Sequence, residues 1–199
     1  MRINDHLELL SVKAWGDNSL NLAVLHDNES AAIFDTSLPG SLQAIQAELS
    51  LSAIPFEKLN RVFITHHDFD HIGGLPELIN ATSRPIQVLA HSEEQPYIEG
   101  KKPALKSDPD IRARIQKNLP AGLTLGPDIM IENPPKVPVD VLLSDDGKLQ
   151  RPHAEHSVDI NLAVKSLKKL EQFDITAVIC CHGGLCTANI KQQIRELAD

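Results

Sequence analysis

RVFITHHDFDHIGG, residues 61–74, is the stretch on which the reading of this chain turns. Val62-Phe63-Ile64 is a short apolar run, β-branched and aromatic, and predicts a buried strand. The run ends at Thr65. His66, His67, Asp68, Asp70 and His71 follow, and Gly73-Gly74 closes the stretch. These polar side chains therefore sit on the turn leaving a strand, where a rigid scaffold presents chemistry. Imidazole with carboxylate is the donor set of Zn²⁺ and its first-row neighbours. On an extended turn the alternate residues His66 and Asp68 point at one ion, and Asp70 and His71 reach a second position beside it. The glycines let the backbone pass close by and start a helix. Any one of these residues alone is most often a solvated loop side chain. Together, between a strand and a glycine pair, they favour a metal site.

The rest of the composition is ordinary. The chain has 199 residues, of which 42% are hydrophobic and 23% charged, enough for one core and one domain spanning 1–199. Its net charge is −8 with no long run of one sign, so neither nucleic acid nor an anionic membrane is expected as a partner. No apolar stretch has the length of a membrane span, and MRINDHLELL lacks the core of a signal peptide. A cytoplasmic location is the expectation. Cys180, Cys181 and Cys186 are an odd count without zinc-ribbon spacing, and are expected as reduced thiols.

Outward from the central stretch, alternation and turn signals predict strands over 7–14, 20–25 and 31–34, a β-meander ending at Asp35-Thr36. The spacing of Leu42, Ile45 and Leu49 predicts a helix over 41–53, stopped by Pro55. Beyond the glycine pair come a short helix from Leu75, a strand over 85–90 ending at His91, and a helix start at Ser92-Glu93-Glu94. Ser107-Asp108-Pro109 opens a basic helix to about Leu119. The stretch 120–138 is rich in Pro and Gly and reads as a connection. A strand over 139–143, a helix over 157–173, a strand over 175–180 and a last helix over 187–197 complete the chain. His182 ends a buried strand just before two glycines, as His66 leaves its own strand, and two strands of one sheet would bring those tips together.

The central stretch resembles the signature T-H-x-H-x-D-H-x-G-G of the metallo-β-lactamase superfamily. Thr65, His66, Asp70, His71, Gly73 and Gly74 match, and Asp68 stands where the commonest form has His. An H-x-D-x-D-H variant is familiar in one branch. The resemblance implies an α+β fold, the αββα sandwich of that superfamily, here shortened in its second half. It implies Zn²⁺, one or two ions, with His66, Asp68, Asp70, His71 and His182 as ligands and Asp70 also orienting the water or shuttling its proton. The superfamily's Asp-Thr-Gly corresponds to Asp35-Thr36-Ser37, whose Asp supports the metal loop. The implied activity is hydrolysis of a small ester, lactone, thioester or amide by metal-activated water, with a small molecule as substrate.

Two family features do not occur: the third His of the first ion, in a T-P-G-H-T-P-G motif, and the bridging Asp after Gly. Only 144–156 joins the strand at 139–143 to the helix at 157–173, as though about three strands of 5–6 residues were absent. His153, Glu155 and His156 read as loop residues, and Asp145 and Asp146 as a turn. The alternative is therefore a non-catalytic or activity-impaired protein of the same fold with an incomplete metal site. Loss of inner strands would also leave an open sheet edge and a tendency to form homo-oligomers.

Overall fold

The computed structural model describes residues 1–14, 16–118, 135–143, 160–181 and 184–198, in two compact units. The described residues of the first unit are 1–14, 16–104, 135–143, 181 and 184; those of the second are 105–118, 160–180 and 185–198. The architecture is α+β, a central mixed sheet with helices against it, as the metallo-β-lactamase type requires.

The sheet of the first unit takes its seven strands in chain order. They are β1 (Arg2–Asn4), β2 (Leu7–Lys13), β3 (Ser19–His26), β4 (Ala31–Phe34), β5 (Leu59–Ile64), β6 (Gln87–His91) and β7 (Val141–Leu143). β1 to β4 form the antiparallel meander, and from β4 onward every pairing is parallel. Parallel neighbours need crossovers. The first carries α1 (Leu42–Leu51), and the second carries a single turn, α2 (Phe69–Ile72), and then α3 (Leu75–Ala81). α4 (Gln95–Ile98) follows β6 and is also one turn. Parallel pairing sets the carboxyl ends of β4, β5 and β6 along one edge, so Asp35, Thr65 and His91 stand at the same end of the sheet.

Alternation decides which side of each strand enters the core. Leu10 and Val12 of β2, Leu22 and Val24 of β3, Ile33 of β4, Val62 and Ile64 of β5 and Val88 and Ala90 of β6 join one cluster. Ile45 and Leu49 of α1, Leu75 and Leu78 of α3 and Ile98 of α4 are fully buried against them. The helix expected over 41–53 ends sooner, because Ala53 takes φ 57, a left-handed conformation that stops the helical ladder before Pro55 is reached.

In the second unit Asp108 caps α5 (Pro109–Asn118): its Oδ1 accepts the amides of Asp110 at 2.8 Å and Ile111 at 3.2 Å. The helix expected over 157–173 is α6 (Ile160–Leu167) followed by a 3₁₀ segment, Lys168–Gln172. α6 and the 3₁₀ segment pack against α7 (Ile190–Ala198), where Arg195 Nε meets Glu171 Oε2 at 3.0 Å. β8 (Val178–Cys180) pairs with β9 (Gly184–Cys186), a strand the sequence pattern does not announce. Residues 144–156, where the shortened connection is expected, lie outside the described residues, as does His182. Among the described residues no helix is long and apolar enough to cross a membrane.

Candidate metal centre

The site is assembled at the carboxyl ends of β4 and β5. Asp35 leaves β4 with φ 61, and its amide donates to the Phe63 carbonyl at 2.8 Å. A non-glycine residue in this region is uncommon, though Asp tolerates it better than most. Its buried carboxylate, 5% exposed, turns toward the end of β5. Oδ1 accepts the Thr65 amide at 2.8 Å, and Oδ2 accepts the Thr65 hydroxyl at 2.8 Å. Oδ2 also lies 2.7 Å from His71 Nδ1.

A carboxylate only accepts, so these contacts assign the protons. His71 carries its proton on Nδ1. The Thr65 hydroxyl gives its own proton to Asp35, and its oxygen then accepts His66 Nδ1–H at 3.0 Å. Both imidazoles thus keep Nδ1 protonated and turn Nε2 the other way. His66 Nε2 is 3.2 Å from Asp68 Oδ2, and His71 Nε2 is 3.6 Å from Asp70 Oδ2. The two rings lie 3.9 Å apart, centroid to centroid, tilted by 47°. A proton or a metal cation between ring nitrogen and carboxylate oxygen makes such a contact attractive. The second is how an imidazole–carboxylate pair chelates a metal, and the residues present fit one in chemistry. Among the described residues no group of three His, Cys, Asp or Glu is gathered to hold an ion.

The backbone explains the glycines. Gly73 ends α2 and Gly74 begins α3. A Cβ at Gly74 would stand 2.4 Å from the Thr36 carbonyl oxygen, and one at Gly73 would stand 2.3 Å from Pro39 Cδ. The loop after β5 and the loop after β4 pass too closely for any side chain. Thr36 ties them further, its amide and hydroxyl both donating to the His71 carbonyl, at 2.7 and 2.9 Å. Ser37, at the position of the family's Gly, takes φ 60, a left-handed conformation that a glycine there would adopt without cost.

Of the five expected ligands, His66, Asp68, Asp70 and His71 lie together on the loop after β5, and His182 lies outside the described residues. His66 pairs with Asp68, and Asp70 with His71, as the spacing suggests. Asp35 orients His71 and, through Thr65, His66. Next to His182 in sequence, the Cys181 carbonyl accepts both the Asn21 amide at 2.8 Å and Asn21 Nδ2 at 3.0 Å. The β3–β4 register pairs Val24 with Ile33, so Asn21 stands level with the position just past Asp35, where β4 turns away. Cys181 takes up the edge of β3 that β4 gives up, at the metal-loop end of the sheet. The sequence pattern leaves two partners unannounced. Glu94 grips His67, and Tyr97 stacks on its ring at 4.5 Å. Nothing local in EEQPY links either to the loop 27 residues earlier.

Comparison with known proteins identifies the family. The chain is 34% identical over 87 residues to a hydroxyacylglutathione hydrolase of Alkalilimnicola ehrlichii, covering 44% of the chain and 31% of that protein. It is 29% identical over 90 residues to the probable metallo-hydrolase YflN of Bacillus subtilis, covering 45% and 33%. The matched stretch thus spans about a third of the length of these curated relatives. A metallo-beta-lactamase family protein of Thermus thermophilus shares the fold at a TM-score of 0.68 and 16% identity, over 99% of this chain and 79% of that one. The family described as metallo-beta-lactamase superfamily matches residues 15–134, more than half of the sequence. By its sequence and its fold, the chain belongs to the metallo-β-lactamase superfamily.

Proposed function

We propose that this chain is a metallo-β-lactamase-fold protein with an incomplete metal site, its hydrolytic activity impaired or lost. One observation carries this reading. The loop after β5 supplies two imidazole–carboxylate pairs, but the sequence carries neither the third His nor the bridging Asp with which the family completes its site. Two donors hold a divalent ion weakly; three with an open position are what a catalytic zinc needs. On this reading the loop is at most a weak metal binder, and the Asp35–Thr65 network persists as part of the fold.

A second reading keeps the enzyme. It is favoured by the double hydrogen bond from Asn21 to the carbonyl of Cys181, the residue before His182 in sequence, at the β3 position level with the end of β4. His66, Asp68, Asp70, His71 and His182 would then hold one or two zinc ions, and the metal would supply a bound water acidic enough to be hydroxide near neutral pH. Asp70 would orient that water and carry its proton, and Asp35, through Thr65, would hold both imidazoles in the ligating tautomer. The substrate would be a small ester, lactone, thioester or amide. Its class is close to what the hydroxyacylglutathione hydrolase name implies for that relative, but the fold alone serves many chemistries.

Metal per chain, measured by elemental analysis after purification and again after dialysis against zinc, separates the two. The first reading expects well below one zinc and no turnover in an ester, lactone and thioester screen. The second expects about one or two, with turnover abolished in Asp70→Ala. Stoichiometric zinc with turnover would overturn the first.

A further inference from the structure

We infer that Glu94 is a positioning residue of the metal loop, a brace that sets the geometry of the His66–Asp68 pair. Glu94 Oε2 accepts the backbone N–H of His67 at 2.9 Å and His67 Nδ1–H at 2.6 Å. One carboxylate oxygen thus fixes both the peptide plane and the ring of the residue between the two donors. The His67 ring is buried and lies nearly parallel to Tyr97, 17° between planes, with Lys102 Nζ 5.6 Å from the Tyr97 centroid. Glu94 is itself held at the end of β6, its amide donating to the His91 carbonyl at 2.9 Å.

Alternation makes the brace matter. Asp68 is extended, with φ −64 and ψ 145. Successive side chains of an extended segment point to opposite sides, so His66 and Asp68 share one side while His67 takes the other. Pinning His67 from behind leaves the flanking residues facing the same way. His66 Nε2 and Asp68 Oδ2 are held 3.2 Å apart on that side, the pair with which the loop would take a cation. Outer partners of metal ligands act in this manner.

This inference rests on the reading of residues 66–71 as a metal loop, and the experiment separates the two. Zinc affinity is measured for the full chain by competition with a chromophoric chelator. The visible spectrum of bound Co²⁺ and the metal-free Tm are recorded alongside. Glu94→Ala is expected to weaken zinc by about 10–100-fold and to change the cobalt spectrum. Glu94→Gln, whose amide oxygen still accepts both bonds, is expected to restore most of the affinity. A merely structural role would lower the metal-free Tm and leave the affinity of the folded fraction unchanged. Glu94→Ala that folds and binds zinc within about twofold of the wild type overturns the inference and leaves the metal loop standing. Should that variant fail to fold, Glu94→Asp, one methylene short of both bonds, carries the same comparison. A wild-type chain that takes up neither zinc nor cobalt overturns the metal reading, and the inference with it.

Discussion

Asp35 Oδ2 lies 2.7 Å from His71 Nδ1, inside the fold, where Asp35 is 5% exposed and His71 2%. The same carboxylate takes the Thr65 amide and hydroxyl, so one buried group joins β4, β5 and the loop between β5 and α3. Asp35→Asn keeps the size and the tolerance for φ 61, but puts an NH₂ group or a weaker acceptor before three donors. It is expected to cost roughly 1.5–3 kcal/mol in urea unfolding. Asp35→Ala is expected to cost more, adding left-handed strain to the loss of every bond. An unchanged urea midpoint in Asp35→Asn would mean that the carboxylate is not the joint described.

Gly74 stands where the two loops cross. Its missing Cβ would meet the Thr36 carbonyl at 2.4 Å, and that oxygen belongs to backbone that cannot swing aside. Gly74→Ala is expected to destabilise by about 1–3 kcal/mol or more, with Gly73→Ala similar. Gly40→Ala is a useful contrast. Its Cβ meets nothing within 4 Å, so its cost comes only from φ 81. Equal losses at Gly40 and Gly74 would argue against a steric origin.

Zinc binding is expected to show in the thermal melt. A ligand present at 100 times its Kd raises stability by about 2.7 kcal/mol. With an incomplete site the Tm should barely move at equimolar zinc and climb only at a large excess, and His66→Ala should abolish the climb. A full shift at equimolar zinc, reversed by chelation, would instead favour the complete site that includes His182.

Asp27 provides the pH-dependent prediction. The backbone amides of Glu29 and Ser30, at 2.8 and 2.7 Å, hold its carboxyl below the ordinary 3.8, helped by the Ser30 hydroxyl and more distantly by Lys58. A folded value below the unfolded one gives stability that is present above the unfolded value and lost as pH falls through the folded one. Asp27→Asn is therefore expected to be less stable than wild type at neutral pH, and the gap should narrow as the pH falls below 3.8 and close below the lower folded value. A gap that persists in acid would trace to the turn's shape and not to its charge.

β7 is the last strand of the seven-stranded sheet, and Leu142 and Leu143 on it are 49% and 38% exposed. Exposed apolar residues on an outer strand favour pairing with another chain. Concentration-dependent association by light scattering is expected, weakened in Leu142→Lys. A monodisperse monomer at high concentration would count against it.

Much of this architecture was written locally. The alternation of 7–13 and 19–26, the short apolar runs at 31–34 and 62–64 and the periodicity of 42–51 each specify an element through its own residues. The candidate metal loop is equally visible as a cluster of His, Asp and Gly, because these residues lie within a dozen residues of chain and their spacing on a turn is a local property. Even the Asp35 joint had a trace, a carboxylate at a strand end.

What the tertiary structure alone decided are the relationships between distant segments. The tautomers of His66 and His71 follow from a carboxylate some 30 residues earlier, meeting them across a parallel strand pair. Glu94 reaches His67 only because β6 lies beside β5. The link between Asn21 and Cys181 spans 160 residues and depends on β4 leaving the sheet at Asp35. No periodicity encodes such contacts. They exist because pairing register and the burial of apolar strands bring together polar groups that must then satisfy one another away from water.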